Sequence, residues 1–191
     1  MLNSKESFAP DCLAEQKARD SFPRLFCFPR LAMHSGWSSE MELSIYPKPN
    51  ISILCVEDDP VTSDFLKRII SITFPGIELF FAENGQIGLE LYKKHAPPIV
   101  ITDVQMPVLD GIQMARVIKV INPETIIIIV SGYSDTHFML NAIEIGINYY
   151  VMKPIEQQKL ISIIEKSISG INLLWKVREQ EAEIQRLASF T

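Results

Sequence analysis

The chain has 191 residues, of which 47% are hydrophobic, and a formal net charge of −5. This length and apolar content are sufficient for one domain with a sizeable core and some additional chain. The negative net charge and the lack of a dense Lys/Arg cluster argue against direct binding to nucleic acid. The longest apolar run, residues 126–130, is far shorter than the roughly 20 residues that span a bilayer, so we expect no membrane segment.

The three cysteines, Cys12, Cys27 and Cys55, are too widely spaced to suggest a metal motif or a disulfide framework. Cys55 lies inside an apolar run, which favours a small buried side chain. The first residues, Met-Leu-Asn-Ser-Lys-Glu, lack the basic-then-apolar pattern of a signal peptide. Together these features favour the reducing cytoplasm.

Residues 1–49 differ in composition from the rest of the chain, with five prolines, several serines and no helix or strand period. We therefore expect this segment to be disordered or only loosely ordered. A docking tail is an alternative interpretation, because residues 21–30 are rich in aromatic and basic side chains. A later natural start, at Met33 or Met41, is a second alternative.

From residue 50 onward, short apolar strands alternate with amphipathic helices, which is typical of a parallel sheet covered on both faces. The predicted strands are 51–56, 77–82, 99–102, 125–130 and 149–151. The predicted helices are 61–73, a segment between 85 and 96, 112–121, 135–145, and a last one that begins near 156. This pattern predicts an α/β fold, the flavodoxin-like doubly wound sheet of five strands in the order 2-1-3-4-5, with five helices and a C-terminal helical extension.

Polar side chains follow four of these strands at the point where each strand ends. Glu57 and Asp58 follow the first strand, Asp103 the third, Ser131 the fourth, and Lys153 the fifth. Since the carboxyl ends of parallel strands share one sheet edge, we expect these groups to converge. Clustered carboxylates repel one another unless a cation is present, and oxygen ligands suit Mg²⁺. A hydroxyl and an ammonium can hold phosphoryl oxygens, and an aspartate nucleophile can form an acyl phosphate.

These residues make the chain resemble the receiver domain of response regulators in two-component signalling, over roughly residues 50–169. The resemblance depends on four motifs in the family's order and spacing. They are Val-Glu-Asp-Asp-Pro at 56–60, Asp-Val-Gln-Met-Pro-Val-Leu-Asp-Gly at 103–111, Val-Ser-Gly at 130–132, and Tyr-Val-Met-Lys-Pro at 150–154.

The resemblance implies a role for each site residue. Asp103 would be the phosphoacceptor, and Lys153 would pair first with Asp103 and then with the phosphate. Mg²⁺ would be bound directly by Asp58, Asp103 and the backbone carbonyl of Gln105, with Glu57 acting through a water molecule. Apart from its own phosphorylation and dephosphorylation, such a domain would not be an enzyme.

The resemblance also implies a switch. Ser131 would hydrogen-bond the phosphoryl group and move inward, and Tyr150 would turn inward after it. The surface of helix 4, strand 5 and helix 5 would then change its partner preference. The partners would be a histidine kinase or phosphotransfer protein and, for a homodimer, a second copy bound through this surface or through the C-terminal helix. The peptide bond between Lys153 and Pro154 would be cis.

Several alternatives remain open. Alignment on Val56 and Pro60 selects Glu57 and Asp58 as the acidic pair and leaves Asp59 as a helix N-cap, but a shift of one residue is conceivable. An aspartyl-phosphate phosphotransferase would need an acid two residues after the nucleophile, where Gln105 stands. A pseudo-receiver that acts only in dimerisation is the other rival. A flavodoxin is disfavoured because the acidic residues would repel a flavin phosphate.

Residues 170–191 are predicted to form a helical extension or linker. Leu173, Val177, Gln180, Ile184 and Leu187 follow a d-a-d-a-d heptad path. A solvent-exposed amphipathic helix and a frayed tail are the alternatives. The last residues resemble the linker that precedes a diguanylate cyclase domain in some response regulators, so the chain is either a piece of a longer protein or a stand-alone receiver with an extension.

Overall fold

The computed structural model describes residues 48–132 and 143–189. The predicted disorder of residues 1–49, apart from its last two residues, lies outside this part of the chain, as does the alternative docking tail at 21–30. Most of the predicted fourth helix also falls outside the described residues.

Five parallel strands form one sheet in the order β2-β1-β3-β4-β5. The strands are β1 (Ser52–Val56), β2 (Glu78–Ala82), β3 (Ile99–Asp103), β4 (Ile126–Ser131) and β5 (Tyr149–Met152). The helices are α1 (Pro60–Thr73), α2 (Gly85–His95), α3 (Gly111–Ile121), α4, of which residues 143–145 are described, and α5 (Gln157–Ala188). The predicted flavodoxin-like fold is thereby confirmed, and every strand begins and ends within one residue of its predicted bounds.

Each face of the sheet has its own apolar core, because alternate strand residues point to opposite faces. On one face, α2 and α3 cover strand residues that include Leu54, Val100 and Ile127. On the other face, α1 and α5 cover strand residues that include Ile53 and Ile101. Cys55 belongs to the second core and is fully buried, as its apolar neighbours predict.

Polar residues in the turns cap the first three helices. In each case the side chain accepts a hydrogen bond from a backbone N–H three residues later, which satisfies a donor at the helix start. The pairs are Asp59 with Thr62, Asn84 with Ile87, and Asp110 with Gln113. The predicted N-cap role of Asp59 is therefore confirmed.

Helix α5 is one continuous helix of 32 residues that runs through Gly170. Its first half packs on the sheet through Leu160, Ile163 and Ile164. The change in composition after Gly170 therefore marks the point where the buried face ends and does not interrupt the helix. Among the helices in residues 48–132 and 143–189, none is long and apolar enough to cross a membrane.

Candidate functional site

Asp103 is the last residue of β3, and its side chain is 13% exposed at the carboxyl edge of the sheet. Its two carboxylate oxygens have different partners. Oδ1 accepts hydrogen bonds from the backbone N–H groups of Val104, at 2.5 Å, and Gln105, at 3.3 Å. Oδ2 accepts one from Lys153 Nζ at 2.6 Å. The carboxylate is thus held in position but remains partly accessible to solvent.

The loop after Asp103 is folded back tightly on the end of β3. The Gly111 N–H donates to the carbonyl of Val104 at 3.0 Å. A Cβ atom at Gly111 would overlap the backbone carbonyl oxygen of Asp103 and would lie 2.8 Å from Thr102 Oγ1. Glycine is therefore required at this position to let the start of α3 approach the strand end.

Lys153 connects the ends of several strands. Its ammonium donates to Glu57 Oε1 at 2.9 Å as well as to Asp103 Oδ2. Its backbone N–H donates to the carbonyl of Ser131 at 2.8 Å, which joins the residue after β5 to the end of β4. The predicted cis peptide bond between Lys153 and Pro154 is confirmed.

Burial and neighbouring charges shift the pKa values of Glu57 and Lys153. Burial raises the pKa of Glu57, whose side chain is 1% exposed, and the charge of Asp103 raises it further. The hydrogen bond and positive charge of Lys153 oppose that rise without cancelling it. Burial by itself would lower the pKa of Lys153, but the hydrogen bonds and charges of Asp103 and Glu57 outweigh it, so the net shift is upward.

Three carboxylates lie close enough to bind one cation. Glu57, Asp58 and Asp103 can each offer an oxygen atom, and these atoms lie within 4.8 Å of one another. Glu57 Oε2 is buried and has no hydrogen-bond partner among the described residues. Burying a carboxylate oxygen without a hydrogen-bond donor or a cation beside it costs free energy of folding. The donor set therefore fits a hard divalent cation such as Mg²⁺.

Asp59, the alternative member of the acidic pair, points elsewhere. Its Oδ2 accepts hydrogen bonds from the Thr62 N–H at 2.9 Å and from Thr62 Oγ1 at 2.6 Å. An open depression of about 410 Å³ lies beside Asp58 and is also lined by residues 104–107 and Asp110. Asp58, rather than Asp59, thus joins the site geometrically, although its role as a ligand stays a prediction.

The two predicted switch residues lie on β4 and β5. Ser131 is buried at the end of β4, one residue beyond Val130, which is the register partner of Asp103. Tyr150 is half-buried and packs against the core formed with α2 and α3, whereas Tyr149 packs against the opposite core. These positions are compatible with the predicted switch, and the roles themselves stay predictions.

One contact at the site was not expected from the sequence. Glu57 was expected to reach Mg²⁺ through a water molecule, and Lys153 to pair with Asp103 and then with the phosphate, but Lys153 also bonds directly to Glu57. The two residues are 96 positions apart, so no local pattern could have indicated the contact. The only available signal was that both follow strands of the same sheet edge.

Comparison with known proteins agrees with the fold. Residues 53–165 match the model of the response regulator receiver domain. The chain is 33% identical over 118 residues to the chemotaxis protein CheY of Bacillus subtilis, covering 61% of this chain and 97% of that protein. It is 31% identical over 120 residues to the uncharacterized transcriptional regulatory protein YesN of the same species, covering 62% of this chain and 33% of YesN.

A crystal structure of a response regulator receiver domain protein from Clostridium thermocellum superimposes with a TM-score of 0.60 at 30% sequence identity. The match covers 65% of this chain and 98% of that one. The chain spans only about a third of the YesN length. The segment that matches the family model, residues 53–165, includes the four strand ends that form the site. The chain belongs to the response regulator receiver domain family of two-component signalling.

Proposed function

We propose that this chain is a phosphorylation-controlled receiver in which Asp103 accepts a phosphoryl group from a histidine kinase or a phosphotransfer protein. The observation that carries the proposal is the arrangement around Asp103. Its carboxylate is partly exposed, touches the ammonium of Lys153, and lies within reach of two further carboxylates. This is the set of groups that in-line phosphoryl transfer to an aspartate requires.

Asp58, Asp103 and the backbone carbonyl of Gln105 would bind Mg²⁺, and the buried Oε2 of Glu57 fits the same cation directly or through a water molecule. When bound, the cation supplies positive charge that reduces the electrostatic repulsion between the carboxylate and the incoming phosphoryl oxygens. Lys153 supplies a second positive charge through its bond to Oδ2 of the carboxylate.

In the transfer, a carboxylate oxygen of Asp103 forms a bond to phosphorus while the bond between phosphorus and the donor's histidine nitrogen breaks. The electron pair of that bond returns to the histidine ring. Lys153, which donates to Oδ2 before the reaction, then donates to a phosphoryl oxygen. The hydroxyl of Ser131 binds another phosphoryl oxygen.

The switch follows from the same contacts. Ser131 moves toward the bound phosphoryl group, and the hydrogen bond from the Lys153 N–H to the Ser131 carbonyl transmits this movement from the end of β4 to the end of β5. Tyr150, two strand positions before Met152, then changes its packing on the core. The surface of α4, β5 and α5 changes its partner preference by a population shift between two states.

The test is phosphorylation of the full chain by acetyl phosphate with Mg²⁺, followed by intact-mass spectrometry. We expect the mass to increase by one phosphoryl group, and we expect hydroxylamine to release it as it does from an acyl phosphate. Asp103→Asn should abolish labelling. Asp110→Asn is the matched control, since Asp110 lines the depression beside Asp58 and asparagine caps a helix equally well.

Other results would favour the rival functions. Full labelling of Asp103→Asn would exclude Asp103 as the acceptor. No labelling together with no response to Mg²⁺ would favour a pseudo-receiver that acts only through protein contacts. Turnover of a phosphorylated small molecule would favour the phosphotransferase, which the amide at Gln105 disfavours because it cannot act as a general acid.

A further inference from the structure

The second half of α5, residues 170–188, extends beyond the part of the helix that packs on the sheet; we name it the extension. Five of its large apolar side chains are 42% to 66% exposed. These side chains are Leu173, Leu174, Val177, Ile184 and Leu187. Charged and polar residues on either side of them keep the helix amphipathic.

Four of these side chains, together with Gln180, form a stripe with heptad spacing. Leu173 and Leu187 occupy d positions, Val177 and Ile184 occupy a positions, and Gln180 occupies the central d position. The stripe lies on one side of the helix, and a different side contacts the chain's own receiver domain. There, Ile171 packs against the core between the sheet and α5, and Arg178 forms an ion pair with Glu124 just before β4.

We propose that the extension pairs with the extension of a second copy in a parallel, in-register, two-stranded coiled coil. β-Branched residues at a together with leucine at d are the combination that favours two parallel strands. Only the in-register parallel arrangement places every apolar a and d residue against its own equivalent. An antiparallel arrangement centred on Val177 and Gln180 would instead place Leu187 opposite Gly170.

The charges flanking the stripe favour the same arrangement. Lys176 occupies a g position and Glu181 the following e position, and these are the positions that face each other across a parallel seam. Two-fold symmetry would form this ion pair twice. Gln180, a polar residue in the seam, would lower the affinity while disfavouring other registers.

The helix is already formed before pairing. α5 is continuous from the sheet into the extension, so association does not require the helix to be nucleated. The loss of conformational freedom on binding is correspondingly small. The seam does not include the site around Asp103, so this proposal is independent of the proposed function.

The test is sedimentation of the full chain over a range of concentrations. We expect a reversible dimer that Ile184→Glu disrupts and that Gln180→Leu tightens by about tenfold or more. Gln185→Glu is the matched control, because residue 185 is exposed but lies outside the seam, and it should leave the dimer unchanged. Asp103→Asn should also remain dimeric. A monomer at all concentrations, or equal behaviour of Ile184→Glu and Gln185→Glu, would overturn the proposal.

Two further variants test the orientation. Lys176→Glu should weaken the dimer, and adding Glu181→Lys should restore it, since the double change recreates the pair with reversed signs. In a background with Cys12→Ser and Cys27→Ser, Leu187→Cys should form a symmetric disulfide within the dimer, because equivalent residues meet only in the in-register parallel seam. Failure of both the restoration and the disulfide would overturn the parallel arrangement.

Discussion

Lys153 and Asp103, 50 positions apart in the sequence, are joined by a hydrogen bond of 2.6 Å between Nζ and Oδ2. The same ammonium is bonded to Glu57 at 2.9 Å. The Lys153 ammonium therefore neutralises two carboxylates that lie at the ends of different strands and are both largely shielded from solvent. The stability of the sheet edge and the chemistry proposed for Asp103 depend on the same side chain.

Removing this ammonium should destabilise the fold. We expect Lys153→Met to lower the free energy of unfolding by about 1–3 kcal/mol at neutral pH, because Glu57 loses its partner while remaining buried. Urea unfolding measures the change. Lys159→Met, at an exposed position of α5, is the control and should stay within about 0.5 kcal/mol of the wild type. Equal stability of the two variants would show that the ammonium is dispensable.

Mg²⁺ binding should distinguish Asp58 from Asp59. Mg²⁺ at a hundredfold excess over its Kd should stabilise the wild type by about 2.7 kcal/mol. Asp58→Asn should lose most of this effect, since Asp58 belongs to the three-carboxylate cluster. Asp59→Asn should keep it, because Asp59 caps α1 and asparagine is an equally good cap. Thermal unfolding with and without Mg²⁺ measures both, and the reverse pattern would assign the ligand role to Asp59.

Two glycine substitutions should have opposite effects. Gly111→Ala should destabilise the chain by about 1–3 kcal/mol or more, because the new Cβ would overlap the Asp103 carbonyl oxygen. Gly170→Ala should stabilise it by about 0.5–1 kcal/mol, since nothing lies within 4 Å of that Cβ position and alanine is the better helix former. Denaturant unfolding of both variants tests this contrast. Similar effects would contradict the close approach at Gly111.

Val108 has an unfavourable backbone conformation for a β-branched residue, with φ near 70°. Val108→Asn should stabilise the fold by about 1 kcal/mol, because asparagine adopts this conformation more readily. Val120→Asn is the matched control. Val120 is 81% exposed and Val108 82%, and valine and asparagine have similar helix propensities, so the control should change stability little. Unfolding midpoints that shift equally in both variants would exclude strain at Val108.

The buried hydroxyl of Tyr92 should give a pH-dependent contribution to stability. It lies 2.5 Å from Thr125 Oγ1, and Tyr92→Phe should cost about 0.5–1.5 kcal/mol at neutral pH. Burial raises the pKa of Tyr92, although its hydrogen bonds to Thr125 and Asn122 oppose the rise. The unfolded wild type therefore loses the phenol proton first, near pH 10, and the folded state is disfavoured as the pH rises further.

The difference between the wild type and Tyr92→Phe should consequently narrow above about pH 10. Thr125→Val is the control, because it removes the same hydrogen bond but keeps the phenol, and it should retain the loss of stability at high pH. Urea unfolding between neutral pH and the alkaline range measures the three curves. A constant difference between wild type and Tyr92→Phe would show that the phenol has the same pKa in both states.

The residue pattern was sufficient for the fold, the strand bounds and the caps. Near-continuous apolar runs such as 99–101 indicate strands buried on both faces, and the acidic or amide residues before α1, α2 and α3 indicate helix starts. These features arise from interactions between residues that are close in sequence, so they can be predicted from the sequence alone. The convergence of Asp103 with residues at the other strand ends followed from the parallel topology alone.

Contacts between distant residues required the folded chain. The direct bond from Lys153 to Glu57 depends on packing across the sheet, whereas the turning of Asp59 away from the carboxylate cluster and the continuity of α5 through Gly170 depend on local backbone geometry that the sequence left open. Side-chain direction past the end of a strand follows no fixed alternation. Which of the consecutive acids faces Asp103 is therefore decided by the turn geometry, and whether a helix continues past its buried face is decided by its own backbone hydrogen bonds.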